Sequence, residues 1–173
     1  MSQNSRTFLK SVYGFDAVVR RVDDGDWENP SPCEGWTATD VVAHNIAMCE
    51  MIAGFAAGVG AKHPTQSTPD DPGGAWDASF TTLTEALDSQ GALQTVNVTP
   101  WGEMAVEKFL GFVWVDPLVH TWDLAMATGQ PAKLDPPLVE RGYKQLQRAG
   151  DSLRGEGRFG AAVEESDDMS ALD

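Results

Sequence analysis

The chain has three histidines. Two of them, His44 and His120, fall on the apolar stripes of separate segments with helical periodicity, VVAHNIAM (41–48) and VDPLVHTWDLA (115–125). Asp116 lies four residues before His120, so a helix puts both on one face, where they can hold one ion together. His44 offers a third donor from another helix. Two imidazoles and a carboxylate hold a divalent metal and leave a coordination position open for chemistry. A carboxylate on a core-facing stripe is costly unless paired or metal-bound, which makes Asp116 more telling than either histidine. Asp123 follows one turn later, about 40° off the stripe at ~100° per residue. It is placed to accept a hydrogen bond from a ligand histidine and fix its tautomer.

Spacing alone leaves other readings open. His44 and His120 can be satisfied core histidines, with Asp116 paired to an arginine or capping backbone. An Asp–His dyad can also work without metal. Other site classes lack their residues: there is no ExxH for a di-iron bundle, no HExxH, no GxSxG and no phosphate loop. The formal charge of −14 argues against nucleic acid as a partner, because phosphate binding needs clustered Lys and Arg. Five of those negatives are Glu164, Glu165, Asp167, Asp168 and Asp173, with no basic residue after Arg158, so 161–173 reads as a solvated acidic tail. The tryptophans Trp27, Trp36, Trp76, Trp101, Trp114 and Trp122 read as packing, since no basic groove accompanies them. Cys33 and Cys49 form no CxxC pair; buried thiols are the common case, and Cys33, just before a helix start, is open to a reactive role. No apolar run approaches the ~20 residues of a membrane span. The first residues lack the apolar core of a signal peptide, so a cytoplasmic protein is expected and the Asn97–Thr99 sequon carries no weight.

These residues need helices to position them. Helical periodicity predicts a first helix over 6–23 and a second over 38–57, opened by a capping box at Thr37 and Asp40 with stripe Val41, His44, Met48, Met51, Ile52 and Phe55. Residues 58–74 read as a long loop holding an exposed His63. A third helix is expected over 75–89, then an extended TVNVTPWG. A fourth, over 103–128, is apolar nearly all round. One side carries Phe109, Phe112, Val113, Asp116, His120, Leu124 and Ala127; the other carries Leu110, Trp114, Leu118 and Trp122. Such a helix is central or faces a partner, and an outer face around Trp114 and Trp122 would make a homodimer. Pro117 should kink it and Gly129 cap it. A fifth helix is expected over 136–149. At 173 residues this is one domain, 1–160, ahead of the acidic tail: all-α, a helical bundle whose core can build a metal site from facing helices.

SPCEGWTATDVVAHNIAMCEMIAG together with VDPLVHTWDLAMATGQPAKL resembles the actinobacterial branch of the DinB-like superfamily. More closely, it resembles proteins similar to the N-terminal domain of mycothiol-dependent maleylpyruvate isomerase, over nearly the whole chain. The resemblance implies an up-and-down four-helix bundle with one divalent metal on His44, Asp116 and His120. Related isomerases have Glu at the place of Asp116 and other DinB-like proteins have His. It further implies a metal-dependent enzyme of the thiol-transferase or isomerase type, with zinc as the expected metal and nickel, iron or manganese open. Mycothiol or another small thiol would be the cosubstrate and a small electrophile its target. The alternative is a non-catalytic metal or small-molecule binding protein on the same scaffold. The isomerase carries a further C-terminal domain, so maleylpyruvate isomerisation itself is not implied.

Overall fold

Helix α1, Gln3–Val19, starts where the Ser2 side chain accepts the backbone N–H of Ser5, and it buries Phe8, Val12, Phe15 and Val18. These are positions of one helical face. The computed structural model that shows this describes residues 2–60, 67–99 and 102–150. His63, Trp101 and the acidic tail lie outside the described residues.

Helix α2 is Ala38–Ala56 and α3 is Pro72–Asp88. Two short antiparallel strands follow, β1 Val96–Thr99 and β2 Gly102–Ala105, with Val96 opposite Ala105. Then come α4, Val106–Val113, and α5, Val115–Ala127. The protein is a helical bundle, as expected. Asn4 meets Glu107 near the start of α4, and the Gln130 amide reaches Val18 O, so α1 runs parallel to α4 and α5. Trp76 of α3 donates its indole N–H to Asp16 while Phe80 packs on Tyr13, which sets α3 antiparallel to α1. The Phe55 ring of α2 packs on Phe109 of α4 and His44 meets Asp116 of α5, so α2 runs against α4 and α5. The order is therefore up, down, down, up, a refinement of the simple alternation that the resemblance implies. Parallel neighbours need a connection long enough to return along the bundle, and residues 57–71 separate α2 from α3.

The long fourth helix is broken, and its expected first turn is a strand. Residues 103–105 pair with β1, whose Val–Asn–Val–Thr sequence suits a pleated ladder, and that partner is invisible to a local helical window. The helix then stops at Val113 and resumes at Val115, with Trp114 as the joint. Pro117 has no N–H for the carbonyl four residues back, which is Val113, and its ring crowds that carbonyl. The kink expected at Pro117 thus falls one turn earlier, as a break. Phe112, expected on the buried side, is 52% exposed, whereas Trp114, expected on an outer face, is fully buried. Trp122 does reach the surface. At the far end Gly129, at φ +63°, lets its own N–H reach Met126 O and that of Gln130 reach Ala125 O, the paired bonds of a Schellman cap.

The fifth expected helix is α6, Pro136–Ala149, capped by the Asp135 side chain on the Leu138 N–H. It belongs to a second compact unit beginning at Lys133. Among the described residues no helix is long and apolar enough to cross a membrane.

Candidate metal centre

Three local structures aim the site. The first is the capping box that starts α2: Thr37 N–H donates to Asp40 Oδ2 at 2.9 Å, and Asp40 N–H returns to Thr37 Oγ1 at 3.3 Å. It fixes the helix start and therefore the angular position of His44, two turns on. The second is the break at Trp114, which puts Asp116 in the first turn of α5, where a carboxylate favours the helix dipole. His120 then follows on the same face. The third is a tight turn over Cys33–Trp36, closed by Trp36 N–H on Cys33 O at 3.0 Å. Its third residue, Gly35, has φ +78°, a conformation that glycine adopts without strain.

The structure brings His44, Asp116 and His120 together. His44 Nε2 lies 3.1 Å from Asp116 Oδ2, and His120 Nε2 lies 3.8 Å from Asp116 Oδ1. The two imidazole rings meet edge to face, 4.7 Å between centroids. Asp123 Oδ2 is 2.9 Å from His120 Nδ1, with the Asp123 side chain 7% exposed. The cluster sits at the edge of the core rather than within it: the His44 and Asp116 side chains are each 30% exposed. The expected fully inward placement of these two residues is corrected accordingly. Periodicity finds which face a residue is on; it does not find where that face runs out into solvent.

Two further side chains line the site. The Trp36 indole stacks on His120 at 5.8 Å and lies tilted over His44 at 5.3 Å. The Cys33 thiol lies within 4.8 Å of a His120 ring nitrogen and of the Asp123 carboxylate. Both come from the turn before α2, where no periodicity operates. The legible signal was their nearness to the Thr37 cap, which ties that turn to the helix bearing His44. Trp36 is thus packing, as its type suggested, but packing against the candidate ligands.

The electrostatics favour a cation. Burial, the largest single influence, pulls the His120 pKa down, yet its hydrogen bond to Asp123, the neighbouring Cys33 and the charges of Asp116 and Asp123 outweigh it together and raise it to about 10. Two carboxylates, Asp116 and Asp123, thus flank one imidazole and favour positive charge between them. The donor set also fits a metal by size. Ligand distances of about 2.1 Å in a tetrahedron put ligand atoms about 3.4 Å apart. The observed 3.1 and 3.8 Å bracket that value. With His120 Nδ1 held by Asp123, Nε2 is the nitrogen left to face an ion, the usual arrangement of a carboxylate behind a ligand histidine.

A helical bundle with two histidines and a carboxylate converging from facing helices places the chain among small bundle proteins whose core offers a candidate metal-ligand group. Residues 10–125 match the family described as the mycothiol maleylpyruvate isomerase N-terminal domain, and the chain belongs to it. It is 32% identical over 145 residues to uncharacterized proteins of Mycobacterium tuberculosis strains CDC 1551 and H37Rv, covering 83% of this chain and 78% of each relative. No solved structure gives a significant match.

Proposed function

We propose that this chain is a divalent-metal-dependent enzyme that joins a small thiol, such as mycothiol, to a small electrophile. The observation that carries the reading is the convergence of His44, Asp116 and His120 at ligand spacing, backed by Asp123 on His120. His44, Asp116 and His120 would hold the metal, with zinc favoured for a mixed nitrogen and oxygen set. A metal bound there would lower the pKa of a thiol that joined it, so that thiolate forms near neutral pH. The protein's own groups supply the rest. Asp123 orients the His120 ring through Nδ1. Trp36 packs against both imidazoles and gives the site an apolar wall on that side. The partly exposed Asp116 marks the side from which small molecules enter. Membership in the isomerase family supports thiol chemistry over other uses of such a site.

Elemental analysis after zinc loading tests the metal. One ion per chain in Cys33→Ser and little in the Cys33→Ser, His44→Ala double variant is the expected result; a Cys33→Ser protein and a wild type that both hold none end the reading. A panel of thiols and electrophiles then tests turnover on the loaded protein. A loaded site without turnover leaves a metal-binding protein on this scaffold.

A further inference from the structure

His120 belongs to two donor groups. Its Nε2 faces Asp116, while its Nδ1 faces Asp123. Cys33, half-buried, completes the second group: one ligand atom each from Cys33, His120 and Asp123 lies within 4.8 Å of the others, the same spacing that the first group meets. The thiol's backbone is pinned. Cys33 N–H donates to Ser31 Oγ at 3.2 Å, Cys33 O accepts from Trp36, and Ser31 N–H donates to Trp36 O at 2.9 Å. Asp123 is held in the middle of α5 and is nearly fully buried, so its carboxylate is costly without positive charge beside it. The two groups differ in chemistry. His44, Asp116 and His120 offer nitrogen and oxygen only; the second group puts a sulfur in place of one nitrogen, and softer ions prefer thiolate.

We propose that Cys33, His120 and Asp123 form a second cation-binding set, selective for thiophilic divalent ions such as Cd2+. A cation seated there takes the place of the proton that links His120 to Asp123, and it is bound by the Cys33 thiolate. Because one imidazole is common to both sets, a thiophilic ion captured by Cys33 competes with the ion held through His44 and Asp116. The proposal rests on the metal reading above only in sharing His120.

The test is titration of the purified full chain with Co2+, Cd2+ and Mn2+, read by absorbance and by calorimetry. Thiolate ligation gives a sulfur-to-metal charge-transfer band that nitrogen and oxygen ligands do not. The band is expected in wild type and Cys49→Ser, and absent in Cys33→Ser, with Cys33→Ala as a second variant. Cd2+ affinity should fall at least about tenfold in Cys33→Ser, and Mn2+ affinity by less than about twofold. His44→Ala, or His44→Asn if that variant fails to fold, should keep the Cd2+ band while losing Mn2+. Cd2+ uptake without the band, or a band that survives in Cys33→Ser, overturns the proposal. Mn2+ binding that depends on His44, with no Cd2+ band, overturns it and leaves the first site standing.

Discussion

Asp123→Asn isolates what a buried carboxylate contributes to a ligand histidine. The change keeps size and shape, and the asparagine carbonyl can still accept from His120 Nδ1, so only the negative charge is lost. The bond is 2.9 Å long between side chains that are 13% and 7% exposed, so solvent screens it little. A hydrogen bond to a charged partner contributes about 1.5–3 kcal/mol and a neutral one about 0.5–1.5. The difference, about 1–1.5 kcal/mol, corresponds to zinc binding roughly five- to tenfold weaker, at about 1.4 kcal/mol per decade. That meets the lower end of the roughly 10–100-fold losses that follow removal of such supporting groups. Competition against a chromophoric chelator measures it, with Asp77→Asn, on an exposed side chain away from the site, as the control. Zinc affinity within twofold of wild type, with unchanged circular dichroism, would refute the idea that Asp123 tunes His120.

Three further outcomes are expected. Burial, with smaller contributions from Glu50 and Asp116, pushes the Cys49 thiol up to about 12; it should therefore resist iodoacetamide at pH 8 until the protein is unfolded, while Cys33 is alkylated in the native state, as peptide mass mapping will show. Thr37→Ala removes the capping box and should lower stability by about 1 kcal/mol in guanidinium unfolding. Leu124→Ala should cost about 2–5 kcal/mol because the side chain is fully buried, whereas Phe112→Ser should change stability by less than about 0.5 kcal/mol because that ring is half exposed. The reverse ranking in the same denaturation assay would mean that α4 and α5 pack on their other faces.

Much of the fold is present in short-range pattern. Helix α2 begins at the capping box of Thr37 and Asp40 and α6 at the prolines after Asp135, as expected, whereas α3 begins at Pro72, three residues before its apolar periodicity, because Asp71 caps the Gly74 N–H within a stretch expected as loop. β1 lies where an extended TVNVTPWG is expected, but its pairing with β2 and the division at Trp114 escaped the same logic. A strand's partner is a tertiary fact, and an apolar run long enough for one helix also suits two pieces joined at a proline's missing hydrogen bond. The exchange of Phe112 and Trp114 between surface and core follows from that break, which resets the helical phase.

The sequence by itself determined which residues could serve a metal. Asp116, His120 and Asp123 are separated by intervals that a helix brings close to one face, and His44 falls on the apolar stripe of its own helix; 3.6-residue geometry needs no tertiary information for either. What only the tertiary structure decided is that two helices distant in sequence meet with those faces together, that the site opens at the edge of the core, and that a turn before α2 brings Cys33 and Trp36 onto His120. Loop residues carry no periodicity. Their position depends on long-range hydrogen bonds, such as those of Ala38 to Asn29 O and Thr39 to Trp27 O, that exist only once the chain has folded.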